Sequence, residues 1–184
     1  ERLVEVLLSN VNKDEKVSIL DIGTGSGCLA LALGQELPNA QIAGIDNSAK
    51  AVEIAKSNAE KLKIKNVQFL QIDLFEDKIE EKYDLVISNP PYIPQMEIES
   101  LMPDVKNFEP HFALTDSADG LTFYHKISEI SQKLVNQNGW IYLEVGLGEH
   151  PTKAMQIFLS EKFKNVKLIK DYNGDDRVLK AQIV

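Results

Sequence analysis

Four consecutive residues, Asn89-Pro90-Pro91-Tyr92, offer hydrogen-bond acceptors and an aromatic face within one short segment. The side-chain oxygen of Asn89 and the carbonyl oxygen of Pro90 can each accept one N–H hydrogen bond. Pro91 restricts Pro90 to an extended conformation, which directs that carbonyl, and the Tyr92 ring can cover a planar group. Such a segment suits an amide or aromatic amine, because it orients a weakly nucleophilic nitrogen and supports the positive charge that develops during attack.

A glycine-rich segment, Gly23-Thr24-Gly25-Ser26-Gly27, lies between an apolar run and a helical pattern. Glycines let the backbone turn tightly and let a ligand approach without a Cβ atom in the way. The dinucleotide fingerprint has its third glycine where this chain has Cys28. Alternate glycines preceded by an acidic residue, here Asp21, resemble the segment by which class I methyltransferases hold S-adenosylmethionine. Asp46 suits either cofactor, because a carboxylate can accept hydrogen bonds from both ribose hydroxyls. The glycines alone leave both cofactors open.

Together the two segments favour transfer of a methyl group from S-adenosylmethionine to a planar nitrogen. A nicotinamide-dependent oxidoreductase has no use for the segment Asn89 to Tyr92, and this competing prediction requires nicotinamide binding and hydride transfer. A domain that binds S-adenosylmethionine without turnover is a further alternative. The simplest alternative is a turn stiffened by prolines that binds no ligand.

The elements around these segments must bring them together. Apolar runs alternate with helical patterns, which predicts an α/β fold with a parallel sheet and helices on both faces. Strands are predicted at 17–22, 41–46, 67–72, 84–88 and 140–145, and helices at 29–37, 48–62, 121–135 and 151–163. The apolar runs 166–170 and 177–184 predict a terminal antiparallel hairpin. Residues 89–120 follow the fourth strand with at most a short helix near 97–105, which is typical of a functional segment.

Composition describes one acidic globular domain. The chain has 184 residues, 20 basic and 28 acidic side chains, a net charge of −8 and 43% hydrophobic residues. This length and hydrophobic content predict one domain with a sizeable buried core. An acidic balance argues against a partner bound mainly through phosphates, so nucleic acid is an unlikely partner.

Cysteine, histidine and hydropathy patterns exclude several classes of site. The single cysteine, Cys28, excludes an internal disulfide, and His111, His125 and His150 lack metal-ligand spacing. The longest apolar run, 28–33, is too short to cross a bilayer, and no leader precedes it. We therefore expect a cytoplasmic protein with no metal site and no membrane partner.

Seven short motifs follow one another along the chain. They are Leu20-Asp21-Ile22-Gly23-Thr24-Gly25-Ser26-Gly27-Cys28-Leu29-Ala30, Asp73-Leu74-Phe75, Ser88-Asn89-Pro90-Pro91-Tyr92-Ile93, Glu109-Pro110, Asp119-Gly120-Leu121 followed by Tyr124, Leu143-Glu144-Val145-Gly146, and Asp171-Tyr172-Asn173-Gly174-Asp175-Asp176-Arg177-Val178. This order resembles the HemK/PrmC family, glutamine methyltransferases that modify the Gly-Gly-Gln motif of class 1 peptide chain release factors. The resemblance covers nearly the whole chain.

The resemblance implies a class I S-adenosylmethionine-dependent methyltransferase fold, Rossmann-like, with a seven-stranded, mostly parallel sheet and a C-terminal antiparallel hairpin. It implies that Gly23-Thr24-Gly25-Ser26-Gly27 contact the methionine part of S-adenosylmethionine and that Asp46 binds the ribose. Asp73 and Leu74 would lie beside the adenine, where some members have tryptophan in place of Leu74. S-adenosyl-L-homocysteine would be the product.

The resemblance also implies a protein-(glutamine-N5) methyltransferase whose substrate amide is bound by Asn89, Pro90, Pro91 and Tyr92. Asn89, Pro90 and Tyr92 are the predicted catalytic residues, and Asn89 would also contact the cofactor. Members of the family carry an N-terminal helical domain that helps to dock the release factor. Glu1 resembles the residue just before the first methyltransferase helix, so we expect residues 1–184 to be the catalytic domain alone.

Two other substrates share the same fold, cofactor and motif: an adenine amino group in RNA or DNA, which must be flipped out of the stack, and a glutamine of a ribosomal protein. Residues 71–120 contain 3 basic and 12 acidic side chains. Such a segment would repel phosphates and attract a basic protein loop, which favours a protein substrate.

Several other residues receive no catalytic role. Cys28 is predicted to be a small packing residue at the start of a helix, Trp140 to be a strand residue in the core, and His125 to lie on a helix surface. Glu109 could either brace the long segment or contact the substrate. The family often has glutamine near Glu149 and His150, and no role is assigned to either residue.

Overall fold

A seven-stranded sheet dominates the computed structural model, which describes residues 2–100, 114–160 and 163–184. In chain order the elements of these residues are α1 (Arg2–Leu8), β1 (Ser18–Ile22), α2 (Cys28–Glu36), β2 (Gln41–Asp46), α3 (Ala49–Leu62), β3 (Val67–Gln71), β4 (Tyr83–Ser88), a 3-10 helix (Gln95–Ser100), α4 (Thr122–Leu134), β5 (Val135–Glu144), α5 (His150–Ser160), β6 (Phe163–Lys170) and β7 (Asp176–Ile183). In this part of the chain, every helix is too short or too polar to cross a bilayer.

The strands are arranged in the order β3-β2-β1-β4-β5-β7-β6. The first five are parallel to one another, and β7 runs antiparallel to both β5 and β6. The chain moves outward from β1 to β3 and then returns to place β4 on the other side of β1. This reversal is the topological switch point, where open α/β sheets bind their ligands. The predicted α/β class, the parallel sheet and the terminal hairpin are confirmed.

Side chains that alternate along each strand form two separate cores, because the side chains of a strand point in turn to opposite faces. On β1, Leu20 belongs to the core beneath α4 and α5, whereas Ile19 belongs to the core beneath α1, α2 and α3. Burial on both faces explains why these strands are apolar almost throughout. Helices α2 to α5 begin within one residue of their predicted starts. The Ser48 hydroxyl caps α3 by accepting the Ala51 N–H at 3.3 Å.

The structure differs from the sequence prediction around β5 and in the segment after β4. The sequence predicts a helix to residue 135 and a strand only from residue 140, but β5 already begins at Val135, which pairs with Tyr83. Asn138 has φ 65° and forms an irregularity within the strand. A Cβ atom at Gly139 would lie 2.5 Å from the Asp84 carbonyl oxygen, so the glycine permits this close approach.

The short helix predicted near 97–105 is replaced by a 3-10 helix that begins earlier, at Gln95, and residues 101–105 lie outside the described residues. At the other end of the chain, Phe163 begins β6, although the helical pattern extended to it. The Phe163 ring packs on that of Phe158, with ring centroids 5.0 Å apart, which accounts for its apolar character.

Candidate active site

The glycine-rich segment and the Asn89 segment leave the sheet side by side. Ile22 and Ser88 are register partners at the ends of the adjacent parallel strands β1 and β4. The buried Ser88 hydroxyl donates a 2.7 Å hydrogen bond to the Ile22 carbonyl oxygen. Since neighbouring strands are about 5 Å apart, Gly23 and Asn89 begin their segments within reach of one ligand.

The glycine-rich segment has a backbone that favours glycine at three alternate positions. The φ angles of Gly23, Gly25 and Gly27 are 70°, 55° and 84°. A Cβ atom at Gly23 or Gly25 would meet no atom of the described residues within 4 Å, whereas one at Gly27 would lie 2.8 Å from Cζ of Phe69. The first two glycines thus border open space, and the third packs between α2 and the sheet.

The carboxylate of Asp46 is held in one orientation at the end of β2. Its Oδ2 accepts the Gly25 N–H at 2.9 Å, and its Oδ1 accepts the Ser48 N–H at 2.9 Å. Each oxygen keeps a second lone pair for a ligand hydroxyl. Asp46 therefore connects the glycine-rich segment to the start of α3 and can still accept hydrogen bonds from outside.

Asp21, noted in the sequence only as the acidic residue before the glycines, is fully buried. Its Oδ2 accepts a 2.6 Å hydrogen bond from the Thr24 hydroxyl, and its Oδ1 has no hydrogen-bond partner among the described residues. Burial raises the pKa of this carboxyl group to about 7, although Thr24 and the nearby Ala30 amide lower it. The negative charge of Asp46 raises the pKa further.

Asp73 and Leu74 follow β3, on the side of β2 away from β1. The Ile72 N–H donates to the Asp46 carbonyl oxygen at 3.0 Å, which places this turn beside Asp46. Asp73 stabilises the turn by accepting the Phe75 N–H through Oδ1 at 2.8 Å. Leu74 is only 6% exposed and packs in the core beneath α4 and α5, so its side chain offers a ligand little surface.

The Asn89 segment combines an exposed acceptor with a fixed ring. Asn89 is exposed and forms no side-chain hydrogen bond with another described residue, whereas Pro90 is buried and Tyr92 is half-buried. The Tyr92 hydroxyl donates to Oε1 of Glu144 at 3.3 Å. Burial raises the pKa of Tyr92, and so does the Glu144 charge, whereas Arg177 opposes the increase.

A group of residues behind Tyr92 was not predicted as a functional unit. Tyr124 is fully buried, and its hydroxyl donates to the backbone carbonyl of Glu144. His150 contacts the rings of both tyrosines, at centroid distances of 5.8 Å for Tyr92 and 5.0 Å for Tyr124. The signals in the sequence were the place of Tyr124 and Glu144 in the family's motif order and the presence of His150 near a position where the family often has glutamine, and neither signal indicated a role.

Other residues that the sequence singled out lie away from this site or outside the described residues. Cys28 is exposed, so its predicted packing role is wrong: it begins α2 on the solvent side, while Ala30 faces the sheet. His125 is exposed on α4, as predicted. Trp140 is partly buried under Lys180, whose Nζ lies 3.9 Å from the ring centroid. Glu109 lies outside the described residues.

The arrangement has the parts that transfer of a group to a nitrogen requires, and it has them at one edge of the sheet. An open glycine cradle and the Asp46 carboxylate lie on one side, and the Asn89 acceptors and the Tyr92 ring lie on the other. Among residues 2–100, 114–160 and 163–184, no cluster of three or more histidine, cysteine or acidic residues could hold a metal ion.

Comparison with known proteins relates the whole chain to methyltransferases. Release factor glutamine methyltransferases of Fusobacterium nucleatum and Thermodesulfovibrio yellowstonii are 41% and 43% identical to it, over 99% and 97% of this chain. A methyltransferase structure from Pyrococcus furiosus superimposes with a TM-score of 0.70 at 17% identity, covering 97% of this chain and 80% of that one. This last likeness supports the fold.

The chain spans 51% of the length of the first relative and 66% of the second. Residues 4–104 match the family described as methyltransferase small domain, which is more than half of the chain and includes both the glycine-rich segment and Asn89 to Tyr92. Because this match is consistent with the fold and with the two segments at the strand ends, the chain belongs to the methyltransferase small domain family.

Proposed function

We propose that this chain is the catalytic part of an S-adenosylmethionine-dependent enzyme that methylates the side-chain amide nitrogen of the glutamine in the Gly-Gly-Gln motif of class 1 release factors. The observation that carries the proposal is the pairing of Ile22 with Ser88, which brings the glycine-rich segment and the Asn89 segment to adjacent strand ends. Each segment alone suits several functions, whereas their adjacency suits transfer between a cofactor and a planar nitrogen.

The residues present fit S-adenosylmethionine. The space above Gly23 and Gly25 admits the methionine part of the cofactor close to the backbone, because no side chain in the described part of the chain lies within 4 Å of a Cβ atom at either position. The oriented carboxylate of Asp46 suits the two ribose hydroxyls, and the turn at Asp73 and Leu74 lies next to it for the adenine. When bound, S-adenosylmethionine supplies an electrophilic methyl group on a positively charged sulfur.

The chain's own contribution is to bind and orient the amide. In our proposal the Asn89 side-chain oxygen and the Pro90 carbonyl oxygen each accept one hydrogen of the substrate NH₂ group, and Tyr92 covers its plane. Two acceptors hold the nitrogen in line with the methyl group and stabilise the positive charge that develops on it. Pro91 limits the freedom of Pro90, so the acceptors need little reorganisation before reaction.

The substrate is inferred from relatives and from charge. Proteins that are 41% and 43% identical to this chain are named release factor glutamine methyltransferases. The balance of 12 acidic and 3 basic residues in 71–120 disfavours a nucleic acid as substrate, because phosphates would be repelled. A release factor works in translation, so the cytoplasm is the proposed compartment. The relatives are longer than this chain, and we propose that the additional length contains a domain that docks the release factor.

Methylation of a purified class 1 release factor by the full-length protein tests the proposal. Mass spectrometry of the peptide with Gly-Gly-Gln should show one added methyl group on the glutamine, and a release factor with glutamate at that position should gain none. Methyl transfer to ribosomal RNA, to DNA or to a ribosomal protein in its place would reject the release factor as substrate. Binding of S-adenosylmethionine without transfer to any of these would indicate a binding module.

The substitution Asn89→Ala separates the amide site from the cofactor site. Loss of one acceptor that supports developing charge should lower kcat by about 100-fold, by analogy with loss of one oxyanion donor. Binding of S-adenosylhomocysteine, measured by calorimetry, should be weakened far less. Asn39→Ala is the matched control, because Asn39 is exposed just before β2, at the opposite edge of the sheet. A kcat unchanged in Asn89→Ala would contradict the role of Asn89.

A further inference from the structure

His150 joins two distant segments through both of its ring nitrogens. The backbone N–H of Gly146, just after β5, donates to Nδ1 at 3.1 Å. Nε2 lies 3.0 Å from the carbonyl oxygen of Gly120, just before α4. A carbonyl oxygen only accepts, so Nε2 carries a proton, and Nδ1 must present a lone pair to Gly146. The geometry therefore requires a neutral imidazole with its proton on Nε2.

Both of these glycines pack closely against Tyr92. A Cβ atom at Gly120 would overlap the backbone carbonyl oxygen of Tyr92, and one at Gly146 would lie 3.1 Å from Cδ2 of its ring. Gly120 also has φ 83°, so its backbone favours glycine for a second reason. The imidazole links Gly120 to Gly146. These three residues, Gly120, Gly146 and His150, form a frame around the backbone and the ring of Tyr92.

Two further contacts stabilise this frame, one near Gly120 and one at the imidazole. The carboxylate of Asp116 accepts the N–H groups of Ala118 and Gly120 at 2.9 and 3.0 Å, which orders the approach to α4. The Tyr124 ring meets the imidazole edge-on, at an interplanar angle of 70°. Tyr92 is thus positioned by packing together with its hydrogen bond to Glu144 and the neighbouring Arg177, and His150 is the one described side chain that hydrogen bonds to both glycines.

We propose that His150 is a positioning residue for methyl transfer: its neutral imidazole holds Gly120 and Gly146 against Tyr92 and so fixes the ring that covers the substrate amide. This inference rests on the proposed amide site. His150 touches neither the glycine cradle nor the Asn89 acceptors in the described contacts, and it acts through Tyr92.

Protonation of His150 would break the frame. A second ring proton on Nδ1 would face the Gly146 N–H, so that two donors oppose each other. Burial lowers the pKa of His150 from its ordinary value and keeps the neutral form at physiological pH, although Gly120, Asp116 and Asp119 raise the pKa. The titratable and charged groups around the imidazole are Tyr92 after β4, Asp116 and Asp119 before α4, Tyr124 on α4, Glu144 on β5, Arg177 on β7, and the pair Glu149 and Lys153 at the start of α5.

Two substitutions and one control test the proposal in the full-length protein. His150→Gln keeps one acceptor and one donor, so it can span the same two glycines, whereas His150→Leu keeps neither. His125→Gln is the matched control on the exposed face of α4. We expect His150→Leu to lower kcat by about tenfold or more with the KM for S-adenosylmethionine nearly unchanged, and His150→Gln to recover most of the rate.

The pH profile distinguishes positioning from general stabilisation. Because burial lowers the pKa of His150 below its ordinary value of 6.5, the rate of the wild-type enzyme should fall only as the pH decreases below about 6.5 and His150 gains a proton. His150→Gln cannot gain that proton and should lose this acid-side fall, while His125→Gln should retain it. The proposal would be overturned if His150→Gln showed the same dependence of rate on pH as the wild type. It would also be overturned if the kcat of His150→Leu equalled that of the wild type.

Measurements without substrate keep this test separate from the proposed function. Long-range ¹H–¹⁵N NMR of the three histidines, with His150 assigned from the spectrum of His150→Gln, reports the tautomer directly. We expect the neutral form protonated at Nε2, and shifted Tyr92 ring signals in folded His150→Leu but not in His125→Gln. A charged imidazole near neutral pH, the other tautomer, or unchanged Tyr92 signals would refute the positioning role. Failure of the wild-type protein to methylate a release factor would refute only the proposed substrate.

Discussion

Gly25 and Gly27 share a left-handed backbone but have different surroundings, so the same substitution should impair different properties at the two positions. Their φ angles are 55° and 84°. A methyl group at Gly25 would enter open space, whereas one at Gly27 would lie 2.8 Å from Cζ of Phe69 and 3.1 Å from Cβ of Ala55. Gly25→Ala should therefore impair cofactor binding, and Gly27→Ala should impair folding.

The expected sizes follow from these contacts. A left-handed conformation costs alanine about 1 to 2 kcal/mol relative to glycine, and this cost applies to both variants. Overpacking against Phe69 and Ala55 adds about 1 to 3 kcal/mol for Gly27→Ala alone. For a chain of this length the difference corresponds to a Tm lower by about 2 to 12 °C than that of Gly25→Ala. A methyl group in the cradle of Gly25 should weaken S-adenosylmethionine binding by at least about tenfold, or 1.4 kcal/mol.

Urea denaturation followed by circular dichroism measures the free energy of unfolding, and isothermal titration calorimetry measures cofactor affinity. Both variants are compared with the wild type at the same pH and salt concentration. The reasoning would be refuted by a Gly25→Ala protein as unstable as Gly27→Ala, since open space would then cost as much as a clash. Wild-type cofactor affinity in Gly25→Ala would equally show that no ligand occupies the cradle.

Three further substitutions test the buried and exposed groups. Burial raises the pKa of Asp21 from 3.8 to about 7, so the stability that its protonated form confers is present at low pH and lost as the pH rises through that range. The free energy of unfolding of Asp21→Asn minus that of the wild type should therefore increase between about pH 4 and pH 7. Urea denaturation at both pH values measures this difference, and an equal difference at the two would contradict the prediction. The buried Tyr142 hydroxyl has no partner among the described residues, so Tyr142→Phe should be equally stable or up to about 1 kcal/mol more stable; a clear loss of stability would indicate an unrecognised partner. Cys28 is exposed, so Cys28→Ser should change the free energy of unfolding by less than about 0.5 kcal/mol, and the wild-type thiol should react with a thiol reagent without denaturant.

Most of the fold could be predicted because its signals are local. Apolar runs, the Ser48 cap and the turn before β7 each depend on a few adjacent residues, and the predicted elements agree with the structure within a few positions. The exception at Asn138-Gly139 has a tertiary cause: Val135 finds a partner in Tyr83, so the strand begins before the turn residues instead of after them. No pattern in the neighbouring sequence indicates that pairing.

The parts of the candidate site could be singled out from the sequence, whereas the contacts that support them could not. The residues Asn89 to Tyr92 and the glycines were identified from their types and spacing, because their chemistry is specific to those side chains. His150 was not, since its role depends on the Gly120 carbonyl, which lies thirty positions away in the chain. Cys28 was misjudged because its position on α2 depends on which face of that helix meets the sheet.

By itself the sequence determined the alternation of strands and helices, a glycine-rich turn after the first strand, and a segment of acceptors with an aromatic ring after the fourth. These are consequences of residue type over short stretches. The tertiary structure alone decided that β4 lies beside β1, so that Ile22 and Ser88 are partners, that Asp21 is buried, and that an imidazole links two glycines around Tyr92. The physical reason is that strand order, burial and hydrogen bonds between distant residues are properties of the packed chain, which no short segment contains.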